Sequence, residues 1–260
     1  MIKLEKPDID VESIITDCTA NLTKQPILTH INASKTTIVS KSEKYNELAE
    51  KGQLGTLETH TMIEGGATKD DMVWLYDNKF VADGGRKYYD KIKAIPKYSK
   101  CPFCGVGIVS TLDHYLPKTK YPTYALTPVN LIACCADCNK NKKSEISETR
   151  NNEFIHPYYD DFNDEVWLKV KIVFDEEIIF SFYAEKPNTW EQEKYERAKN
   201  HLRKLQLNKL YVAHCGEELV REDLICRIEE RRRVTKNNWR AALYEGLLES
   251  QDFFDKFLMS

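Results

Sequence analysis

Two Cys-x-x-Cys pairs enclose the residues of this chain that are best suited to chemistry. The first pair is Cys101 and Cys104, and the second is Cys135 and Cys138. Four thiolates in two such pairs fit one tetrahedral zinc ion, and a zinc ion with four protein ligands has no open position for a substrate. We therefore predict a structural zinc ion bound by all four cysteines. A zinc ribbon used only for binding is the alternative interpretation.

An Asp-His pair and two asparagines accompany the cysteines. Asp113 precedes His114, and Asn130 and Asn139 follow 16 and 25 residues after the histidine. A neutral imidazole can accept a proton from water, and carboxylate and carboxamide oxygens suit a hard cation such as Mg²⁺. This combination indicates a metal-dependent phosphodiesterase. Taken singly, Asp113 and Asn139 are more typical of turns and helix caps.

Positive charge is concentrated where these motifs lie. The chain has a net charge of −3, but Arg86 to Lys143 holds 11 Lys and Arg against three Asp, a net of +8 that leaves −11 for the remainder. A positive site on an acidic body suits a nucleic-acid backbone. We expect phosphate contacts from five lysines, for each of which a solvated surface position is the alternative: Lys118, Lys120, Lys140, Lys142 and Lys143.

The remaining cysteines and the chain start indicate the cellular compartment. Eight cysteines would permit disulfides in a secreted protein, but no signal-peptide pattern and no apolar run of membrane-spanning length occur. We therefore predict a cytoplasmic protein with metal-bound thiolates and no membrane segment. Cys134 breaks the spacing of the pairs and is predicted not to be a ligand. Three further cysteines are predicted to lie in helix cores: Cys18, Cys215 and Cys226.

Apolar periodicity predicts the elements that must position these residues. A first helix is predicted from Val11 to Leu22, and a capping box at Thr68 to Asp71 begins another. Residues 27–40 are predicted to include a short strand. Alternating apolar residues predict a hairpin from 166 to 182 with a turn at 175–177. Further helices are predicted at 42–50 and 86–94, after a cap at Asn188, and at 207–234 and 236–258.

The segment 101–143 resembles the HNH nuclease family, whose fold is the ββα-metal module, and in particular its variant with a four-cysteine zinc knuckle. The matching pattern is Cys101-x-x-Cys104-Gly105, Asp113-His114, Pro117, Asn130-Leu131 and Cys135-x-x-Cys138-Asn139-x-x-Lys142. The resemblance implies that His114 is the general base and that Asn130 holds the base and its loop in place. It also implies that Asp113 and Asn139 bind a catalytic Mg²⁺ or Mn²⁺.

This resemblance implies hydrolysis of DNA phosphodiester bonds to 5′-phosphate and 3′-hydroxyl ends. The expected fold is α+β, with a central ββα-metal module that contains the structural zinc. Mostly helical regions would flank this module, with a β-hairpin on its C-terminal side. The predicted parts are an N-terminal mainly helical region at 1–85, the HNH nuclease module at 86–150, and a β-hairpin plus helical C-terminal region at 151–260.

A narrower likeness concerns stand-alone HNH nucleases of bacteria. The sequence around Leu112 to Lys118, followed by His156-Pro157-Tyr158, is similar to these proteins, among them the nuclease subunit of Septu-type anti-phage systems. The likeness implies antiviral defence with an ATPase partner and leaves the oligomeric state open. The alternatives are an RNA-cleaving HNH nuclease and a zinc-organised nucleic-acid or partner-binding subunit with a dormant centre. For His156 and Asp160, a packed turn is favoured over a role beside the active site or at a second ion.

Overall fold

Helices and two short antiparallel hairpins make up the part of the chain that the computed structural model describes, which is residues 1–145, 147, 149–220, 224, 227–228 and 236–253. The predicted α+β class is confirmed. The chain divides into two units, Ile2–Asp160 and Met1 with Asp161–Ser260. The three-part division at residues 85 and 150 stays a prediction. No helix in the described ranges is long and apolar enough to cross a membrane.

The unit Ile2–Asp160 holds one hairpin among helices. Its helices are α1 (Val11–Thr19), α2 (Ile27–Glu50), α3 (Lys69–Leu75), α4 (Arg86–Lys93) and α5 (Ala136–Lys142), and its strands are β1 (Thr111–His114) and β2 (Leu131–Cys134). A π-helical turn at Tyr76–Phe80 continues α3. Short 3-10 turns occur at Leu54–Thr56, Lys97–Ser99, Pro122–Tyr124, Pro128–Asn130 and Arg150–Asn152.

Local capping residues fix where two of these helices begin. The Asp10 carboxylate accepts hydrogen bonds from the backbone N–H groups of Glu12 and Ser13 at 3.2 and 2.8 Å, and α1 begins one residue after it. Thr68 and Asp71 form the predicted capping box, with each side chain bonded to the other residue's backbone N–H. Such caps satisfy N–H groups that have no partner within the helix.

The prediction of a short strand within residues 27–40 was wrong, because these residues form the first half of α2. The stretch is rich in β-branched residues, which favour strands as an intrinsic preference. However, the buried positions Ile31, Ile38 and Tyr45 are seven residues apart and lie on one helical face. Burial of that face against the core outweighs the weak local preference.

The core of this unit extends beneath the hairpin. Ile14, Ile31 and Phe80 are fully buried members of one apolar cluster that also includes Leu112 of β1 and Leu131 of β2. Helix α4 packs against both strands of the hairpin. The hairpin therefore rests on a helical base and is not held by its two strands alone, which would be marginal in isolation.

The second unit contains the predicted hairpin and a set of helices. β3 (Leu168–Phe174) pairs with β4 (Ile178–Ala184) in antiparallel register, and α6 (Gln192–Lys204), α7 (Leu207–Leu219) and a helix at Trp239–Leu248 follow, with a final short turn at Gln251–Phe253. The prediction that Asn188 caps α6 was wrong, because Glu191 stands at the cap position. Parts of the helices predicted at 207–234 and 236–258, and Cys226, lie outside the described residues.

Candidate metal centre and active site

Four buried thiols meet at one point in the unit Ile2–Asp160. The Sγ atoms of Cys101, Cys104, Cys135 and Cys138 all lie within 4.8 Å of one another. The Sγ atoms of Cys104 and Cys135 are 3.9 Å apart, almost twice the disulfide bond length of about 2.05 Å. These cysteines come from two segments that are 30 residues apart in sequence. The pairing of the two Cys-x-x-Cys motifs is therefore as predicted.

The first cysteine pair sits on a tight backbone turn that depends on two glycines. Gly105 has φ +70°, a conformation that residues with a side chain rarely adopt. The N–H of Gly107 donates to Cys104 Sγ at 3.3 Å, and a Cβ atom on Gly107 would come within 2.7 Å of Cys135. The N–H of Cys101 donates to the Gly107 carbonyl at 2.9 Å. The turn therefore places the N–H of Gly107 beside Cys104 Sγ and leaves room for the side chain of Cys135.

The dimensions of this cluster suit zinc. Zinc–sulfur bonds of about 2.3 Å in a tetrahedron place neighbouring sulfur atoms about 3.8 Å apart, close to the 3.9 Å between Cys104 and Cys135. All four residues are buried, so the ligand shell is closed to solvent. Cys134 is buried next to the cluster but does not belong to it, as predicted. The four cysteines could therefore hold a structural metal ion such as zinc.

The Asp-His pair lies at the end of β1, opposite the start of β2. Asp113 pairs with Ile132 and His114 with Leu131 in the antiparallel register. Both residues are within β1, which ends at His114, and adjacent residues of a strand point to opposite faces. Helix α5 follows β2 directly, packs against β1 and contains Asn139. The side chain of Asn139 makes no hydrogen bond within the described part of the chain.

The imidazole of His114 is held in one tautomer. Its Nε2–H donates to the carbonyl oxygen of Ala125 at 2.9 Å, so Nδ1 carries the lone pair. No hydrogen bond to Nδ1 occurs among the described residues. The pKa of His114 is lowered to about 3, mainly by burial; the hydrogen bond to Ala125 opposes this shift, and the charges of Lys118 and Lys142 add to it. The imidazole is therefore neutral at pH 7, with its lone pair on Nδ1.

The carboxylate of Asp113 is buried beside a buried ammonium group. Lys142 Nζ lies 3.1 Å from Asp113 Oδ2, an ion-pair distance, but the geometry is not that of a hydrogen bond and Oδ2 accepts none. The same Nζ donates to the backbone carbonyl of His114 at 2.7 Å. Burial raises the pKa of the Asp113 carboxyl, while Lys142 opposes that shift. Oδ2 therefore has an ammonium group as its ion-pair partner but accepts no hydrogen bond.

Asn130 holds the loop that carries the Ala125 carbonyl. Its Oδ1 accepts from the N–H of Leu116 at 2.7 Å, and its Nδ2 donates to the carbonyls of Leu116 and Tyr124 at 3.0 Å each. Asn130 is fully buried, so these bonds face no competition from water. The carboxamide therefore links Leu116, two residues after His114, to Tyr124, one residue before Ala125.

A tyrosine that the sequence analysis did not single out extends this network. The Tyr45 hydroxyl donates to Asn130 Oδ1 at 3.1 Å and lies 3.3 Å from His156 Nε2. His156 Nδ1 accepts from the N–H of Tyr158 at 3.3 Å, so Nε2 carries the proton and donates to Tyr45. Helix α2 thereby supports the loop through one buried side chain. In the sequence, Tyr45 is marked only by its spacing of seven residues from Ile38, which indicates packing and no contact with the site.

A second clamp on the same loop comes from His60, to which the sequence gave no role. His60 Nε2 accepts from the Thr123 hydroxyl at 2.6 Å and from the Thr123 N–H at 3.3 Å. The backbone N–H of His60 donates to the carbonyl of Lys120 at 3.0 Å. The loop between β1 and β2 is therefore held by His60, which lies outside the loop in the sequence, as well as by Asn130.

The five lysines predicted to contact phosphates occupy different environments. Lys120, Lys140 and Lys143 are exposed. Lys118 Nζ bonds to Asp77 at 2.5 Å and lies 4.2 Å above the Tyr76 ring. Lys142 has 0% exposure, which differs from the surface position expected of it, because Asp113 and the His114 carbonyl bind its ammonium group.

The stretch around His156 forms a packed turn. His156 is buried, its ring lies 4.1 Å from that of Tyr115, and its backbone N–H donates to Asp160 Oδ2 at 2.7 Å. The other oxygen of Asp160 pairs with Arg150 at 3.2 Å. Within the described ranges, no group of three or more His, Cys, Asp or Glu residues that could hold a metal includes either residue. The geometry agrees with the favoured interpretation of this stretch.

Among curated proteins, this chain is similar to the protein ea31 of Escherichia phage lambda. The two sequences are 27% identical over an alignment that covers 98% of this chain and 99% of that protein. No family model matches the chain, and no solved structure matches it. The interpretation of the site therefore depends on its own residues and their geometry.

Proposed function

We propose that this chain is a metal-dependent HNH endonuclease that hydrolyses DNA phosphodiester bonds. The observation that carries the proposal is the neutral His114 imidazole, which is fixed through Nε2 to Ala125 and lies next to the carboxylate of Asp113 at the end of β1. A histidine that served packing alone would not need a loop clamped by Asn130 to present the accepting carbonyl. The order β1, β2, α5 and the adjacent thiol cluster also agree with the resemblance.

The proposed chemistry begins with proton transfer to His114. Nδ1 accepts a proton from a water molecule as that water attacks the phosphorus atom, and the Ala125 carbonyl stabilises the imidazolium through Nε2–H. Asn130 keeps this carbonyl in place, and Lys142 holds the backbone of His114. The preorganised hydrogen bonds mean that little rearrangement is required during the reaction.

Asp113 and Asn139 would hold the catalytic Mg²⁺ or Mn²⁺. The fit is supported by a buried carboxylate oxygen without a hydrogen bond and by a carboxamide without one on the neighbouring helix. A bound divalent ion would stabilise the negative charge on the phosphoryl and leaving oxygens. Two protein oxygens leave most of the coordination shell to water and to the substrate phosphate.

A role in anti-phage defence with an ATPase partner is part of this proposal. Its support is the likeness to Septu-type nuclease subunits in the residues around Leu112 to Lys118 and around His156. Purification of the chain together with the product of its neighbouring gene tests this part of the proposal.

A substrate panel tests the nuclease proposal against its alternatives. The purified protein is incubated with plasmid DNA, single-stranded DNA and transfer RNA, each with Mg²⁺, with Mn²⁺ or with a chelator. We expect metal-dependent nicking or linearisation of DNA, with ends that carry 5′-phosphates and are directly ligatable. Cleavage of the RNA alone would favour an RNA-cleaving nuclease. Binding without any cleavage, at every metal concentration, would favour a dormant zinc-organised subunit.

The two proposed ligands of the catalytic ion should differ in their effect on metal dependence. We expect Asp113→Ala to raise the Mg²⁺ concentration for half-maximal cleavage more than Asn139→Ala does, because a carboxylate carries a full charge and a carboxamide does not. Both variants should retain one zinc ion per chain. The measurement is a metal titration of plasmid nicking, with Asn141→Ala on the same helix as the matched control. An unchanged metal titration in both variants would contradict the assignment.

A further inference from the structure

An exposed tyrosine stands on an unfavourable backbone conformation just before the thiol cluster. Tyr98 has an exposed fraction of 83%, with φ 55° and ψ 25°, and Ser99 after it has φ 52°. Left-handed conformations are uncommon for residues other than glycine, and for bulky residues they mark a turn or strain. Two in succession, at the most exposed tyrosine ring among the described residues, indicate that the chain presents this ring to solvent.

Hydrogen bonds fix the turn that carries Tyr98. The N–H of Ser99 donates to the carbonyl of Pro96 at 3.0 Å, and the N–H of Val109 donates to the carbonyl of Ser99 at 2.8 Å. Lys100, the residue before Cys101 of the thiol cluster, forms an antiparallel β-bridge with Ile108. The thiol cluster therefore holds the turn in place, and the exposed ring has a defined position before any partner arrives.

The segment that leads to this ring carries positive charge that no ion pair among the described residues neutralises, with Lys91 and Lys93 in the last turn of α4. Lys91, Lys93 and Lys97 form no ion pair with any described residue. The sequence contains no Asp or Glu between Asp90 and Asp113. Lys97 Nζ lies 5.8 Å from the centre of the Tyr98 ring. This segment, which we call the Tyr98 turn and define as Lys91, Lys93, Lys97 and Tyr98, combines a fixed aromatic ring with cations that precede it by one to seven residues.

We propose that the Tyr98 turn binds a single-stranded segment of nucleic acid, with Tyr98 stacked on an unpaired base and the three lysines beside neighbouring phosphates. Every base offers a flat face to an aromatic ring, but only an unpaired base leaves that face accessible without opening a duplex. A lysine-rich segment with no Asp or Glu between Asp90 and Asp113 suits a phosphate backbone. Because the turn is already fixed, binding of a base to the Tyr98 ring costs little conformational entropy. This inference deepens the proposed function, on which the choice of DNA as the strand depends.

Binding is tested without cleavage, in the His114→Ala protein and without divalent metal. Fluorescence anisotropy measures the Kd for a labelled 20-nucleotide oligothymidylate, for the matching oligoribonucleotide and for a 20-base-pair duplex. We expect tighter binding of the single strands than of the duplex. Tyr98→Ala should weaken binding of the single strand about tenfold, whereas Tyr98→Phe should retain it, because the phenyl ring keeps the stacking surface.

The lysines are tested by the salt dependence of the same Kd. Each phosphate neutralised on a single strand contributes about 0.7 to the slope of log Kd against log salt. Combined replacement of Lys91, Lys93 and Lys97 by alanine should therefore reduce that slope by about 2. Tyr183→Ala and the pair Lys41→Ala and Lys51→Ala are matched controls at exposed positions elsewhere, and they should leave the Kd unchanged.

The outcomes separate this inference from the proposed nuclease function. Unchanged single-strand affinity in Tyr98→Ala, in a protein with intact zinc content, would overturn the inference. Equal or tighter binding of the duplex would also overturn it, as would absence of binding to every oligonucleotide. Conversely, a wild-type protein that binds the single strand through Tyr98 but cleaves no nucleic acid would overturn only the nuclease proposal.

Discussion

Replacing His114 with alanine is expected to lower the rate of plasmid cleavage by several orders of magnitude while leaving the fold intact. General-base catalysis contributes about 10²–10⁴-fold, and loss of the positioned water adds to that. The reason is the tautomer that the structure fixes, since Nε2–H is bound to Ala125 and Nδ1 is the atom that can accept a proton. The measurement is the rate of nicking at saturating Mg²⁺, with zinc content and circular dichroism as tests of folding.

A matched control and a rescue experiment sharpen this prediction. His214→Ala removes a half-exposed histidine from the other unit and should retain the wild-type rate. Asn130→Ala should reduce the rate as well, because the loop that carries the Ala125 carbonyl loses three hydrogen bonds. A His114→Ala protein that keeps half of the wild-type rate would remove this residue from the mechanism.

The local features around the candidate site could be predicted from the sequence. The two Cys-x-x-Cys pairs converge as their motif spacing predicts, and the capping box at Thr68 and Asp71 begins a helix as predicted. A proline three residues after His114 indicated that β1 would end there, and it does. These signals are local, so a single sequence carries them in full.

The partners of these groups could not be predicted, because they come from distant parts of the chain. Tyr45 bonds to Asn130, which lies 85 residues further along the sequence, and no spacing rule connects the buried face of α2 with the loop between β1 and β2. Lys142 was grouped with the surface lysines because a charged side chain is usually exposed to solvent. Its burial between Asp113 and the His114 carbonyl depends on how α5 packs, which the sequence does not show. Tertiary packing likewise explains why residues 27–40 form a helix.

Replacing Cys135 with serine is expected to remove the structural metal and to unfold the surroundings of the site. Apparent binding free energies for structural zinc are about 10–16 kcal/mol, comparable to the whole stability of a typical domain. A serine hydroxyl is a poor zinc ligand beside three thiolates, and it leaves those thiols crowded within a buried cluster. The expected result is a fall from one zinc ion per chain to far less, with a large decrease in Tm or in soluble yield.

Cys134 offers a control next to the ligand. It is buried beside Cys135 but lies outside the four-thiol cluster, so Cys134→Ala should retain one zinc ion per chain and lose only the packing of one sulfur atom. Elemental analysis and thermal unfolding compare the two variants with the wild type. Since the thiol cluster anchors both the Tyr98 turn and the start of α5, loss of zinc should also abolish single-strand binding and cleavage together. A Cys135→Ser protein with full zinc content and unchanged Tm would show that this cluster is not the metal site.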